Sequence, residues 1–202
     1  MRIYKTVSLA AAGLWLAACS DIPFQQSRNA PSQILLPDGT RIAGADGWCI
    51  DEATTRAGGD TSVVVLGSCA ALARDSDQPR PDIPGVLTIS VEAEAGAIPD
   101  GETLRKFFVS DAGRAALARD GEAASVSILD TRVDEEGLLY LHASDASIAP
   151  GASNEIWRAL FGLGGRFVAV SFYTRLEDQI AIEDGLAALV AQVEELRSAN
   201  RG

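Results

Sequence analysis

The chain has 202 residues, of which 47% are hydrophobic and 6% aromatic, enough apolar content to fill one core of ordinary domain size. Its formal charge is −11; removing Arg2 and Lys5 with the first 18 residues leaves 15 of the 17 basic side chains against all 28 acidic ones, a net −13. A surface of that sign repels phosphate backbones and excludes nucleic acid as a partner, and Lys106, the one lysine left, stands among scattered arginines that form no basic stripe.

Residues 1–18 open with Arg2 and Lys5, continue as a short apolar run over 6–16, and end in small residues before Cys19. The run is too short to cross a bilayer, which takes about 20 apolar residues. It reads as a secretory signal segment. The string Leu16-Ala17-Ala18-Cys19 resembles the lipobox of bacterial lipoproteins. That resemblance implies that Cys19 receives a diacylglyceryl group, that the chain is cut before it, and that the new amine is acylated too. Two or more chains, at about 0.8 kcal/mol per buried CH₂, make a lasting membrane anchor. Ser20 follows where an aspartate would be read in enteric bacteria as retention in the inner membrane, so the resemblance implies the outer membrane. Residues 19–33 are polar, contain Pro23 and Pro31, and read as a flexible tether with a reach of about 20 Å.

One domain is expected from 34 to 202. Residues 33–36 and 40–50 suit a hairpin around Pro37-Asp38-Gly39, and the β-branched run 61–69 suits a buried strand. A proline-rich loop over 70–84 precedes an alternating strand over 85–94, with Leu87, Ile89 and Val91 on one face. Helical spacing follows over 102–109 and 111–119, with Ser110 placed to cap the second helix. Residues 125–133 and 138–144 form the next hairpin, joined by Asp134-Glu135-Glu136-Gly137. A short helix capped by Ser153 is expected to carry Ile156, Trp157, Leu160 and Phe161, with Gly162-Leu163-Gly164-Gly165 stopping it and starting the next strand. Residues 165–176 alternate most clearly of all, and 183–198 place Leu186, Leu189, Val190, Val193 and Leu196 on one helical face.

This order predicts an α+β fold, a mainly antiparallel sheet with helices packed on it. The Gly47-Trp48-Cys49 strand, the strand over 165–176 and the final amphipathic helix resemble the PsbP-like α/β/α sandwich found in several bacterial lipoproteins. That family shares no catalytic set, so the resemblance implies a fold and no site residues.

With Cys19 lipidated, Cys49 and Cys69 remain as an even pair twenty residues apart, and a structural disulfide is the favoured reading. A redox pair or metal ligands are the alternatives, but the chain has no Cys-x-x-Cys and one histidine. That histidine, His142, would share a strand face with Ser144, though no nucleophile-elbow motif accompanies them. Asp75, Asp77 and Asp82 lack the ligand spacing of a calcium loop, so no metal and no cofactor is expected. Trp48, Trp157, Phe161 and Tyr173 are the candidate lining of a pocket between sheet and helices. The leading expectation is a non-enzymatic, lipid-anchored periplasmic lipoprotein with an envelope protein as partner. A lipoprotein binding a small ligand in an apolar pocket is the alternative, and an enzyme of unrecognised type the third.

Overall fold

The computed structural model describes residues 30–93, 96–178 and 180–201; the expected signal segment, Cys19 and most of the tether lie outside them. In chain order the elements are β1 (Gln33–Leu35), β2 (Arg41–Ala43), β3 (Trp48–Ile50), β4 (Thr61–Ser68), α1 (Cys69–Ala73), β5 (Val86–Glu92), α2 (Gly101–Val109) and α3 (Asp111–Leu117). A 3₁₀ turn, Ala123–Ser125, leads into β6 (Val126–Val133), β7 (Leu139–Asp145), β8 (Ala152–Leu163), β9 (Arg166–Arg175) and α4 (Ile182–Ala199). Strands β1 and β2 pair with each other, and the other seven form one sheet in the order β3-β4-β5-β9-β8-β7-β6. Every neighbouring pair is antiparallel, so the fold is the α+β type that the element order predicts.

Alternation decides which face each strand buries. Leu87, Ile89 and Val91 of β5 stand beside Phe172, Val170 and Val168 of β9, which stand beside Trp157, Ala159 and Phe161 of β8. This face packs against Leu189, Val193 and Leu196 of α4 and against Leu36 and Ile42 from the β1–β2 hairpin, forming the larger core. Trp157 is the pivot of this packing. A Cβ at Gly185 would lie 2.4 Å from its Cε2, so only glycine lets α4 settle on the indole. Gln192 is fully buried within the apolar stripe of α4. Its Nε2 donates to the Ala43 carbonyl at 2.7 Å and its Oε1 accepts from the Ala45 N–H at 3.0 Å, tying the helix to β2. The stripe read from sequence is therefore interrupted by one polar clamp, satisfied at both ends.

The opposite face carries a smaller core, where Leu104 and Phe108 of α2 meet Leu139, Leu141 and Leu160. Asp100 caps α2, accepting from the Thr103 N–H at 2.7 Å, and Ser110 caps α3 through the Gly113 N–H at 3.2 Å, as its position in the sequence predicts.

Three expectations need correction. The segment over 70–84 is not loop throughout, since it opens with the short helix α1 (Cys69–Ala73). Residues 152–163 form a strand, not a helix. Strand β8 is buried on both faces, with Trp157 and Phe161 toward α4, Leu160 toward α2 and Ile156 buried on the same face as Leu160, so alternation is lost and spacings of three and four residues remain. Gly164-Gly165 is accordingly a two-residue hairpin turn between Leu163 and Arg166, not a helix stop; both glycines have positive φ, +58° and +79°. The ordered pairing also begins before residue 34: Ile50 donates its N–H to the Pro31 carbonyl at 2.7 Å and Gly44 donates to that of Ser32 at 2.8 Å.

Candidate functional site

Among the described residues, the face that carries α2 and α3 is only half covered. The two helices stand over β6, β7 and β8, whereas on β4, β5 and β9 the same face shows Val63, Thr88, Ser90 and Val86 to solvent or to partial cover, with Val86 42% exposed. Along β9 the matching side chains are Ala169, Ser171 and Tyr173. Arg158 of β8 borders this strip, its Nε donating to Ser171 Oγ at 2.9 Å and its Nη2 to Tyr173 Oη at 3.2 Å.

A groove of about 410 Å³ opens where this strip meets α2. Ile98, Pro99, Leu104, Phe107, Phe108 and Phe167 make its walls, and Glu92 stands at the same site. Phe107 lies edge-on to Phe108 at 5.1 Å but remains 44% exposed, because the helix turns Leu104 and Phe108 to the sheet and leaves 107 on the flank. The α2–α3 turn is close: a Cβ at Gly113 would meet the Phe107 carbonyl at 2.1 Å, so α3 is held against the end of α2.

The four candidate pocket residues are not brought together. Trp48, Trp157 and Phe161 are buried in the core under α4, with Trp48 edge-on to Phe172 at 6.0 Å, whereas Tyr173 is on the opposite face beside Arg158. A cleft of about 30 Å³, the size of one water, does touch Trp157 where Ile182 and Leu186 of α4 approach β6 and β7. There the His142 ring stacks on the indole, 4.8 Å between centroids and 9° between planes. Trp157 Nε1 is fully enclosed and has no hydrogen-bond partner among the described residues.

His142 and Ser144 share a face as their spacing predicts, but they do not bond to each other. His142 Nε2 meets Glu155 Oε2 at 3.1 Å, and Ser144 Oγ accepts from Asn154 Nδ2 at 3.1 Å. Asp145 is 1% exposed and accepts from the Arg119 N–H, the Ser147 N–H and the Ser147 hydroxyl, at 2.9, 2.8 and 2.6 Å. Burial pushes its carboxyl up, but the Ser147 hydroxyl and the two N–H donors outweigh this and hold it below the usual aspartate value. It is a structural anion, pinning the chain after α3 to the end of β7.

The Cys49 and Cys69 sulfurs are bonded, with Cα atoms 4.8 Å apart, so edge strand β3 is clamped to the start of α1. Asp75 Oδ1 accepts from the Asp77 N–H at 3.0 Å and so shapes its own loop. Among the described residues no three His, Cys, Asp or Glu side chains are grouped to hold a metal, and no helix is long and apolar enough to cross a membrane. No family model matches the chain, and no curated protein matches it in sequence.

The groove was not legible beforehand. Its signal in the sequence is Phe107-Phe108, two adjacent aromatics on a helix, of which only one can face the sheet.

Proposed function

We propose that this protein is a lipid-anchored envelope lipoprotein, held by acylated Cys19 and facing the periplasm, whose domain binds a protein partner on the uncovered half of its sheet. The Leu16-Ala17-Ala18-Cys19 string supports the anchor, and the Cys49–Cys69 bond is in keeping with an oxidising compartment. The observation that carries the partner reading is the continuity of one surface: Phe107 at the α2 groove, then β5 and β9 down to Val86 and Tyr173, with apolar groups spaced among serines and threonines. Exposed apolar groups such as Phe107 and Val86 set among polar ones are the composition of a non-obligate docking face. A photo-crosslinking residue placed at 107 or at 86 in intact cells is expected to capture one and the same protein, and the same residue at Glu194 on α4 is expected to miss it. Equal capture at all three positions, or none at 107 and 86, ends the reading.

A second reading has its own observation. The groove volume of about 410 Å³ lies within the range of roughly 300–1,000 Å³ typical of small-molecule sites. A thermal-shift screen with apolar metabolites and lipids distinguishes the two, since ligand at about 100 times its Kd adds about 2.7 kcal/mol of stability. A shift abolished by Phe107→Asp would favour the small ligand.

A further inference from the structure

The two edges of the seven-stranded sheet differ. At the β3 edge the preceding chain lies alongside, with the Ile50 N–H bonded to the Pro31 carbonyl. Among the described residues the β6 edge has no strand beyond it. An open row of backbone donors and acceptors pairs readily with another strand unless something prevents it.

Strand β6 turns a specific set of groups outward. Asp134 donates its N–H to the Leu138 carbonyl at 3.0 Å, which fixes the phase of the β6–β7 ladder at this end. From there inward contacts fall on Arg132, while Thr131 and Val133 direct their backbone groups away from β7. The Thr131 N–H is taken by its neighbour's side chain, Asp130 Oδ1, at 2.8 Å. On either side of Thr131 stand two opposite charges, Asp130 and Arg132, neither of which takes part in an ion pair among the described residues. A register shift between Ile128 and Asp130 sets Leu129 off from the ladder, and it is 51% exposed.

The sequence Asp130-Thr131-Arg132 is complementary to itself when reversed. We infer that β6 pairs antiparallel with β6 of a second copy of this chain, about a two-fold axis at Thr131. In that register Thr131 meets Thr131, each backbone exchanging N–H and carbonyl, and each Asp130 faces the partner's Arg132, whose guanidinium lies 5.0 Å over the Tyr140 ring in the single chain and swings from it to the carboxylate. The Asp130 carboxylate leaves the Thr131 N–H for the partner's guanidinium, so the donor it shields in the monomer is freed as the strand arrives. Other registers fail on charge or space. An axis at Asp130 or at Arg132 sets like charges opposite one another and uses the groups already bonded to β7. An axis at Val133 runs into the Asp134–Gly137 turn. The chosen register sets the partner's acidic turn near residues 126–128, beside the groove that Arg114 lines, and covers Leu129. The paired segment is short, so the contact is weak in dilute solution and gains from the high local concentration of two chains held on one membrane.

The test uses the full-length chain in its own membrane, with Thr131→Cys and a short bismaleimide. A dimer band at least tenfold above the chain without this cysteine, and above a Glu194→Cys control, is expected. Adding Arg132→Asp should lower the yield about tenfold, and the swap Asp130→Arg with Arg132→Asp should restore it to within about twofold. Melting curves check that each variant folds; if Arg132→Asp does not, Asp130→Arg reverses the same pair from the exposed side. No band above the controls, a yield indifferent to the single reversal, or a swap that fails to restore it each overturn the inference.

Discussion

The two faces of the sheet use similar residues to opposite ends. Under α4 the face is closed from β3 to β7: Trp157, Phe172 and Val170 are at most 2% exposed, and the helix is fitted to them by a glycine and clamped by a buried glutamine. Under α2 and α3 the apolar residues are as well chosen where the helices reach, and simply stop being covered at β9. Two short helices, capped one after the other, cannot span a seven-stranded sheet, whereas one helix of 18 residues with the β1–β2 hairpin beside it can. The difference separates a surface organised for stability from one left available.

That contrast can be broken most strongly at its centre. Trp157→Ala should cost about 3–5 kcal/mol in chemical denaturation, because it empties the contact between β8, Phe172 and Gly185. Next, replacing Cys49 and Cys69 together by serine should cost about 3 kcal/mol, by the loop of 20 residues the bond closes, and reducing agent should reproduce that loss. Third, Asp145→Ala should cost about 2 kcal/mol, since it strands the Arg119 and Ser147 donors. Because the folded carboxyl sits below its unfolded value, its contribution is present above the ordinary aspartate range and is lost as pH falls through the folded value. The gap between wild type and Asp145→Ala should therefore narrow in acid, and a constant gap would refute the assignment. Smallest is Phe107→Ala, expected to change stability by no more than about 0.5 kcal/mol while weakening whatever binds the open face. A loss as large as that of Trp157→Ala would mean that the open face is part of the core.

Much of the fold was legible because most elements have one wet side. The alternation of β9, the apolar stripe of α4, the Asp134–Gly137 turn and the Ser110 cap are local patterns, and each is found where those patterns place it. Cys49 and Cys69 are bonded, as the expectation of a structural disulfide places them. Strand β8 was not legible, because burial on both faces removes the period that marks a strand. The pocket residues were grouped by aromatic character alone, and strand parity sends Tyr173 to the other face. Gln192 could not be read as a clamp, because its partners, Ala43 and Ala45, lie some 150 residues earlier.

The sequence by itself determined the acidic character, the α+β class and the type of most elements, since these depend on composition and on neighbours along the chain. Tertiary structure alone decided that β9 enters between β5 and β8, that the α2–α3 pair stops short of the first strands, and that Asp130 and Arg132 stand on an open edge. Those outcomes rest on pairings between distant segments and on which surfaces find a cover, and no local period encodes either.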